Sequence, residues 1–120
     1  MKLRVRGNSI RLRLSQADLE SLLATGAVEE RVTFPAGRSL RYRLESGAGS
    51  ATADLGDGGI VVRFPVEAIR RWAQPDEVSL EAEQPLGEGE CLKLLVEKDF
   101  RCLSPREGED DADLFPNPGA

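Results

Sequence analysis

Polar and apolar side chains alternate along most of this chain with a period of two residues. The clearest case is the opening, where the runs KLRVR and SIRLRL flank Gly and Asn at 7–8. This alternation is typical of strands with one buried face, and a two-residue Gly-Asn connection is typical of a tight hairpin. The sequence therefore predicts an N-terminal hairpin that pairs Val5 with Ile10 and Arg4 with Arg11.

Two further segments have helical spacing instead. Ser15 and Asp18 form the pattern of a capping box, and Leu19 and Leu22 follow on one helical face. Pro65 is well placed at the first position of a second helix, where its missing N–H costs nothing. Helices are predicted over 16–25 and 65–73, and further strands over 28–34, 39–45, 51–55, 60–64, 77–83 and 91–98.

These elements together predict the fold class. Alternating strands indicate an antiparallel sheet with one covered face, and two amphipathic helices are enough to cover it. We expect an α+β fold, a two-layer domain with a mainly antiparallel sheet and two short helices. A half-open or closed antiparallel β-barrel is the alternative. The domain is expected to cover residues 1–103, followed by an acidic C-terminal tail over 104–120, and no internal repeat is evident.

The apolar positions of the predicted elements form the expected core. The chain has only four Phe, one Tyr and one Trp, so aliphatic residues must supply most of the buried volume. The predicted core residues are Leu3, Val5, Ile10, Leu12, Leu19, Leu22, Leu40, Tyr42, Val62, Ile69, Trp72, Leu80, Leu92, Leu94 and Val96.

Composition limits the chemistry that the chain can perform. There is no histidine, the usual general base near neutral pH, so Ser-His-Asp and Cys-His sites are excluded. Cys91 and Cys102 do not have the spacing of a zinc site, and we expect reduced thiols rather than a disulfide. No apolar run has the roughly 20 residues of a membrane span, and no export signal is evident, so a cytoplasmic location is predicted.

Charge is unevenly distributed along the chain. Residues 1–71 contain twelve Lys and Arg against eight Asp and Glu, whereas residues 72–120 contain four against thirteen. The net charge is therefore +4 in the first part and −9 in the second, which gives the −5 of the whole chain. The two parts can neutralise one another within the fold.

The outward residues of the predicted strands include many cations, and like charges that face each other across strands are unfavourable. Arginine forms planar, bidentate contacts with phosphate and carboxylate. We therefore predict an Arg-rich sheet face that binds an anionic small molecule or an acidic segment of a protein. A solvated face of ion pairs, each worth about 0–1 kcal/mol, is the simpler interpretation. The candidate anion-binding residues are Lys2, Arg4, Arg6, Arg11, Arg13, Arg41, Arg43 and Lys93.

Other partners have less support from the sequence. Nucleic acid is disfavoured, because the chain is acidic overall and few aromatic rings accompany its basic residues. No membrane partner and no cofactor is predicted. The sequence is compatible with a homodimer but leaves the oligomeric state open.

A metal-assisted phosphohydrolase acting on a polyphosphate or nucleotide is the alternative function. The chain resembles the triphosphate-tunnel enzymes in charge alternation only, since KLRVR stands where their N-terminal Glu-x-Glu-x-Lys motif would be. The weak candidates for metal ligands in that case are Glu81, Glu83, Glu97 and Asp99. No catalytic residue is assigned, and the main prediction is a non-catalytic binding or interaction module.

The opening MKLRVRGNSIRLRLSQADLE, the late segment LLVEKDFRCL and the ending DLFPNP together resemble a family of small bacterial proteins of unknown function. This resemblance implies a cytosolic protein of about this length and no particular activity.

The acidic tail combines charge with an apolar segment. Its carboxylates, between Glu107 and Asp113, are followed by Leu114, Phe115 and Pro116, an anchor that a purely solvating tail does not need. We expect that this tail is not merely a disordered appendage and that it lies across the cationic hairpin face, in its own subunit or in a partner's. A mobile tail screened by salt is the alternative.

Overall fold

The structure, a computed structural model, describes residues 1–99 and Phe115. In this part of the chain, eight strands and two helices follow one another. The strands are β1 (Lys2–Arg6), β2 (Ser9–Leu14), β3 (Ala27–Thr33), β4 (Ser39–Gly47), β5 (Thr52–Gly56), β6 (Gly59–Pro65), β7 (Ser79–Gly87) and β8 (Glu90–Lys98). The helices are α1 (Gln16–Thr25) and α2 (Val66–Trp72), and a 3-10 turn covers Pro35–Gly37. The order along the chain is β1-β2-α1-β3-β4-β5-β6-α2-β7-β8.

The described strands form two four-stranded sheets. The first sheet has the order β1-β2-β8-β7, and the second sheet has the order β3-β4-β6-β5. Each sheet joins two antiparallel hairpins through one parallel pair, β2 with β8 and β4 with β6. The α+β class is confirmed. Four of the six strand pairs are antiparallel, but they are divided between two mixed sheets rather than lying in the expected single, mainly antiparallel sheet, and the described strands form no closed barrel. Alternation shows which side of a strand is buried, but not which strand lies beside it.

The two halves of the chain, from β1 to β4 and from β5 to β8, have the same topology. The strands β1, β2, β3 and β4 correspond to β5, β6, β7 and β8 in turn. When each strand is exchanged for its counterpart, the order of the first sheet becomes that of the second sheet, written in reverse. The registers agree, because Arg13 lies opposite Glu97 in the first parallel pair and Arg63 lies opposite Glu45 in the second. The fold is therefore an internal repeat, which the sequence analysis missed.

The connections between β3 and β4 and between β7 and β8 show the repeat in detail. Ala36 and Gly37 have φ values of 65° and 71°, and the corresponding Glu88 and Gly89 have values of 54° and 78°. Only the glycines are identical between these two turns. The repeat preserves backbone geometry and polar alternation rather than residue identity, which explains why it is not evident in the sequence.

One continuous hydrophobic core joins both sheets and both helices. Val5 is a wrong core prediction, because it is 61% exposed near the tip of the first hairpin. The prediction also missed Leu14, Leu44 and Phe64, which are almost completely buried. The predicted core residues that are buried are Leu12, Leu19, Leu22, Val62, Ile69, Trp72, Leu94 and Val96, and those that are partly buried are Leu3, Ile10, Leu40, Tyr42, Leu80 and Leu92.

Local sequence signals set the bounds of α1. The Asp18 N–H donates to Ser15 Oγ at 3.3 Å, and the Ser15 N–H donates to Asp18 Oδ2 at 3.0 Å, so the predicted capping box forms. Gly26 ends the helix with a φ of 87°, a conformation that favours glycine. None of the helices in the described residues is long and apolar enough to cross a membrane.

Two predictions fall partly outside the described residues. Cys91 is a half-buried free thiol. Cys102 and the tail carboxylates lie outside the described part of the chain. Phe115 is described, and its N–H donates to the Asp99 carbonyl oxygen at 2.9 Å while its ring packs against the core. Phe115, the described residue of the expected apolar anchor, therefore docks at the end of β8.

Phe115 closes a box around a buried ammonium group. Lys98 is 4% exposed, and its Nζ donates to the carbonyl oxygens of Gln74 at 2.6 Å and Glu77 at 2.7 Å. The same Nζ lies 5.9 Å from the ring centroid of Trp72 and 5.7 Å from that of Phe115. Burial lowers the pKa of Lys98 from its usual value. The two rings supply a favourable environment for a charge that has few water contacts.

A clamp at the N-terminus links the two sheets. The Met1 ammonium lies 2.8 Å from Asp18 Oδ2 and 3.0 Å from Glu30 Oε1. The Tyr42 hydroxyl donates to Glu30 Oε2 at 2.9 Å and lies 3.2 Å from the Met1 carbonyl oxygen. Burial alone lowers the pKa of the Met1 ammonium, but the hydrogen bonds and charges of Asp18 and Glu30 outweigh it and raise this pKa above the usual 8.0.

The Lys98 box predicts the effect of removing the docked ring. Phe115→Ala should lower the free energy of unfolding by about 1–3 kcal/mol, because it removes apolar burial and a cation–π contact. Phe34→Ala is the matched control, since Phe34 is 49% exposed and should change stability by less than about 0.5 kcal/mol. Chemical denaturation measures both variants, and equal effects would contradict the docking of Phe115.

The N-terminal clamp predicts a pH dependence of stability. Because the folded state raises the pKa of the Met1 ammonium, the clamp stabilises the fold fully below about pH 8 and is lost as pH rises through the folded-state pKa. The melting temperature should therefore fall more steeply between about pH 7.5 and pH 9.5 in the wild type than in Glu30→Gln. Parallel melting curves for the two proteins over this range would show that Glu30 does not contribute to the raised pKa of the Met1 ammonium.

Candidate functional site

The structure divides the predicted anion-binding residues between the two sheets. Arg41 and Arg43 lie on β4 of the second sheet. The single Arg-rich face expected from the sequence therefore does not form as one surface, because the strands are grouped into two sheets. The residues that the structure brings together on the first sheet are Lys2, Arg4 and Arg6 of β1, Arg11 and Arg13 of β2, and Lys93 of β8.

Three arginines of the second sheet, Arg41, Arg43 and Arg63, lie beside carboxylates. Arg41 Nε and Arg43 NH1 each lie 3.6 Å from Glu29 Oε1. Arg43 Nε also lies 3.3 Å from Glu45 Oε1, whose other oxygen is 3.1 Å from Arg63 NH2. This face corresponds to the simpler interpretation, a solvated surface of ion pairs.

Part of the first sheet is neutralised in the same way. Lys2 Nζ lies 2.8 Å from Asp99 Oδ2, and Arg11 Nε lies 3.0 Å from Glu97 Oε1. Arg13 is next to the same carboxylate, at 4.0 Å from Nε to Oε1. The repeat places Arg63 and Glu45 at the positions that correspond to Arg13 and Glu97, so the Arg13–Glu97 neighbourhood belongs to the shared framework of the fold.

Three of the predicted anion-binding residues on the first sheet form no ion pair with a described residue: Arg4, Arg6 and Lys93, of which Lys93 lies opposite Glu83 on β7. The side chains of Arg4 and Arg6 are both exposed. Together with Ser9 and Arg11 they line a concavity of about 90 Å³ on the outer face of the first hairpin. We call these residues, Arg4, Arg6, Ser9 and Arg11, the arginine cleft. Arg4 lies directly opposite Arg11 across the strands, as the sequence predicted.

The backbone beneath the arginine cleft is fixed by hydrogen bonds. Asn8 Nδ2 donates to the Cys91 carbonyl oxygen at 2.7 Å, and the Lys93 N–H donates to the Asn8 carbonyl oxygen at 3.0 Å. Ser9 Oγ donates to the Arg6 carbonyl oxygen at 2.6 Å. These bonds tie the hairpin tip to β8, so the cleft is held in position before any ligand arrives.

A larger hollow adjoins the arginine cleft on the same face. It has a volume of about 530 Å³ and contains Arg11 and Lys93 on one side and Glu81 and Glu83 on the other. Its cations and carboxylates are equal in number, so it has no net preference for an anion. The positive character of the first sheet is therefore concentrated at β1.

The weak candidates for metal ligands do not form a cluster of three or more among the described residues. Glu81 and Glu83 are exposed on β7, whereas Glu97 and Asp99 are engaged by Arg11 and by Lys2. Among the described residues, no group of three or more potential ligands is arranged to hold a metal ion. The geometry offers no support for a metal-assisted hydrolase.

An apolar cavity lies behind the same hairpin, and the sequence analysis did not identify it. Its volume is about 270 Å³, and its apolar walls include Val5, Ile10, Leu55, Ile60 and Leu92. Val5 was assigned to the core, and its neighbour in the cavity, Leu55, is 82% exposed. No signal in the sequence identifies this cavity, because the exposure of Leu55 follows from the structure.

Comparison with known proteins defines the family but not the activity. No curated protein and no solved structure is significantly similar to this chain. The sequence matches a family described as a "Family of unknown function (DUF7009)" over residues 1–119. Because this match covers nearly the whole chain, and in agreement with the resemblance seen in the sequence, the protein belongs to the DUF7009 family of unknown function.

Proposed function

We propose that this protein is a non-catalytic binding module that holds an anionic group in the arginine cleft. The observation that carries the proposal is the exposed pair Arg4 and Arg6, which lacks a counter-charge among the described residues while the arginines of β2 and β4 lie beside carboxylates. The ligand is an anionic small molecule or an acidic segment of another protein.

Electrostatics favours an occupied cleft. Arg4 and Arg11 face each other across the strands, and like charges in this position destabilise a hairpin. An oxyanion between the two guanidinium groups replaces this repulsion by charge-assisted hydrogen bonds, which are shorter and stronger than neutral ones. The fixed hairpin backbone reduces the ordering that binding requires.

The chemistry of the arginine cleft supports binding rather than catalysis. Its only hydroxyl, that of Ser9, donates to the Arg6 carbonyl oxygen, and no general base adjoins it among the described residues. Arginine remains protonated at any physiological pH and therefore serves as a fixed cation. These features describe a place where charge is recognised.

Inorganic pyrophosphate provides a simple probe of the cleft. Calorimetric titration should detect binding to the wild type, and Arg4→Gln or Arg6→Gln should weaken it about tenfold, because each removes a charged hydrogen-bond donor. Arg31→Gln is the matched control, since Arg31 is also an exposed arginine on an edge strand and also lies opposite another arginine, Arg41.

The control variant should bind pyrophosphate as the wild type does. Equal loss in Arg4→Gln and Arg31→Gln would mean that the anion is attracted by the general charge of the surface, and the proposal would fail. Binding should also weaken with added salt, because salt screens exposed charges.

A further inference from the structure

We propose that the anionic group belongs to an extended segment of a partner protein, in which acidic and apolar residues alternate, and that this segment adds as a strand to the edge of β1 that no described strand covers. This inference rests on the proposed function and specifies its ligand. Three properties of β1 carry it: its outer-face arginines, its inner-face valine and its position at the edge of the first sheet.

The two faces of β1 offer opposite chemistry at adjacent residues. Arg4 and Arg6 project from the outer face and line the arginine cleft. Val5 lies between them, projects from the other face and lines the apolar cavity. A small anion can use only the outer face, whereas a strand beside β1 presents its side chains to both faces in turn.

The spacing of the arginines matches that of a strand. Residues two apart on a strand are separated by about 6.8 Å, so Arg4 and Arg6 have the separation of alternate residues in an added strand. Side chains directly opposite across such a pair are about 5 Å apart at Cβ, which lets a glutamate reach an arginine. Main-chain hydrogen bonds would supply affinity, and the alternate side chains would supply specificity.

The apolar cavity accommodates the other half of the alternating pattern. Its volume of about 270 Å³ exceeds the roughly 150 Å³ of a cavity that binds benzene, so one leucine or valine side chain fits. Leu55 at its rim is 82% exposed, and Val5 is 61% exposed. Burying both on binding removes apolar surface from water, which a purely polar polyanion such as a nucleic acid backbone does not do.

The repeat explains why the partner is directed to β1. Leu55 of β5 occupies the position that corresponds to Val5 of β1, since each lies opposite an isoleucine, Ile60 or Ile10, in its hairpin. Asp54 of β5 takes the place of Arg4 and repels an acidic segment. Both hairpins contribute an apolar residue to the shared cavity, but only β1 attracts carboxylates.

A capped pentapeptide with the sequence Glu-Leu-Glu-Val-Glu is the test ligand, and the full chain is titrated with it by calorimetry. Leu55→Ser should weaken binding of the peptide about tenfold and leave pyrophosphate binding unchanged, because Leu55 contacts only the apolar side chain. Leu86→Ser is the matched control, since Leu86 is an exposed leucine on β7, the edge strand at the opposite side of the same sheet.

A second peptide tests strand addition itself. Methylation of the backbone nitrogens that would face β1 removes main-chain donors but keeps every charge and side chain, and it should reduce affinity about tenfold. Arg6→Gln should weaken the peptide and pyrophosphate alike.

The outcomes separate this inference from the proposed function. Equal affinity of the methylated and parent peptides, or no effect of Leu55→Ser, would overturn strand addition even if pyrophosphate binding still depended on Arg4 and Arg6. Tighter binding of a DNA duplex, independent of Leu55, would overturn it in favour of a polyanion backbone. Loss of the arginine dependence for pyrophosphate would instead overturn the proposed function.

Discussion

The parallel pairing of β2 with β8, and of β4 with β6, is the constraint on which the rest of the structure depends. Each pair joins a hairpin from one half of the chain to a hairpin from the other, so neither half completes a sheet alone. Leu12 lies opposite Val96, and Leu44 lies opposite Val62, and all four are about 1% exposed. Burial of each side chain contributes roughly 1.5–3 kcal/mol and is available only when both halves are in place, which makes folding a single cooperative event.

The opposite face of the same strand pairs determines where charge accumulates. Arginine faces glutamate at the corresponding positions of the two parallel pairs, Arg13 with Glu97 and Arg63 with Glu45. The framework strands therefore neutralise much of their own outer faces. On the outer face of the first hairpin, Arg4 and Arg6 form no ion pair with a described residue, and β1 pairs with one described strand only. A ligand can therefore be accepted here without breaking a described ion pair.

Local sequence signals predicted the helices and strands, whereas the pairing of strands that are distant in the chain could not be predicted. The capping box of Ser15 and Asp18 and the turn at 7–8 act over a few residues, so the bounds of α1 and the register of the first hairpin followed from the sequence. The grouping of strands did not, because alternation shows burial and not neighbours. Alternation alone therefore placed both Arg4 and Arg41 among the candidate anion-binding residues. The structure places Arg41 on the other sheet, beside Glu29.

The repeat provides an internal control for assigning function to the first hairpin. The corresponding hairpin, β5 with β6, has the same register and the same two-residue turn as the first hairpin. However, Asp54 and Gly56 stand where the first hairpin has Arg4 and Arg6. The fold therefore does not require cations at these positions. The first hairpin instead places Arg4 against Arg11, which lowers the stability of the pair. The corresponding hairpin, β5 with β6, avoids this repulsion between like charges. Natural sequences depart from locally favourable choices mainly at functional sites, so the repulsion in the first hairpin is what a binding site would be expected to show.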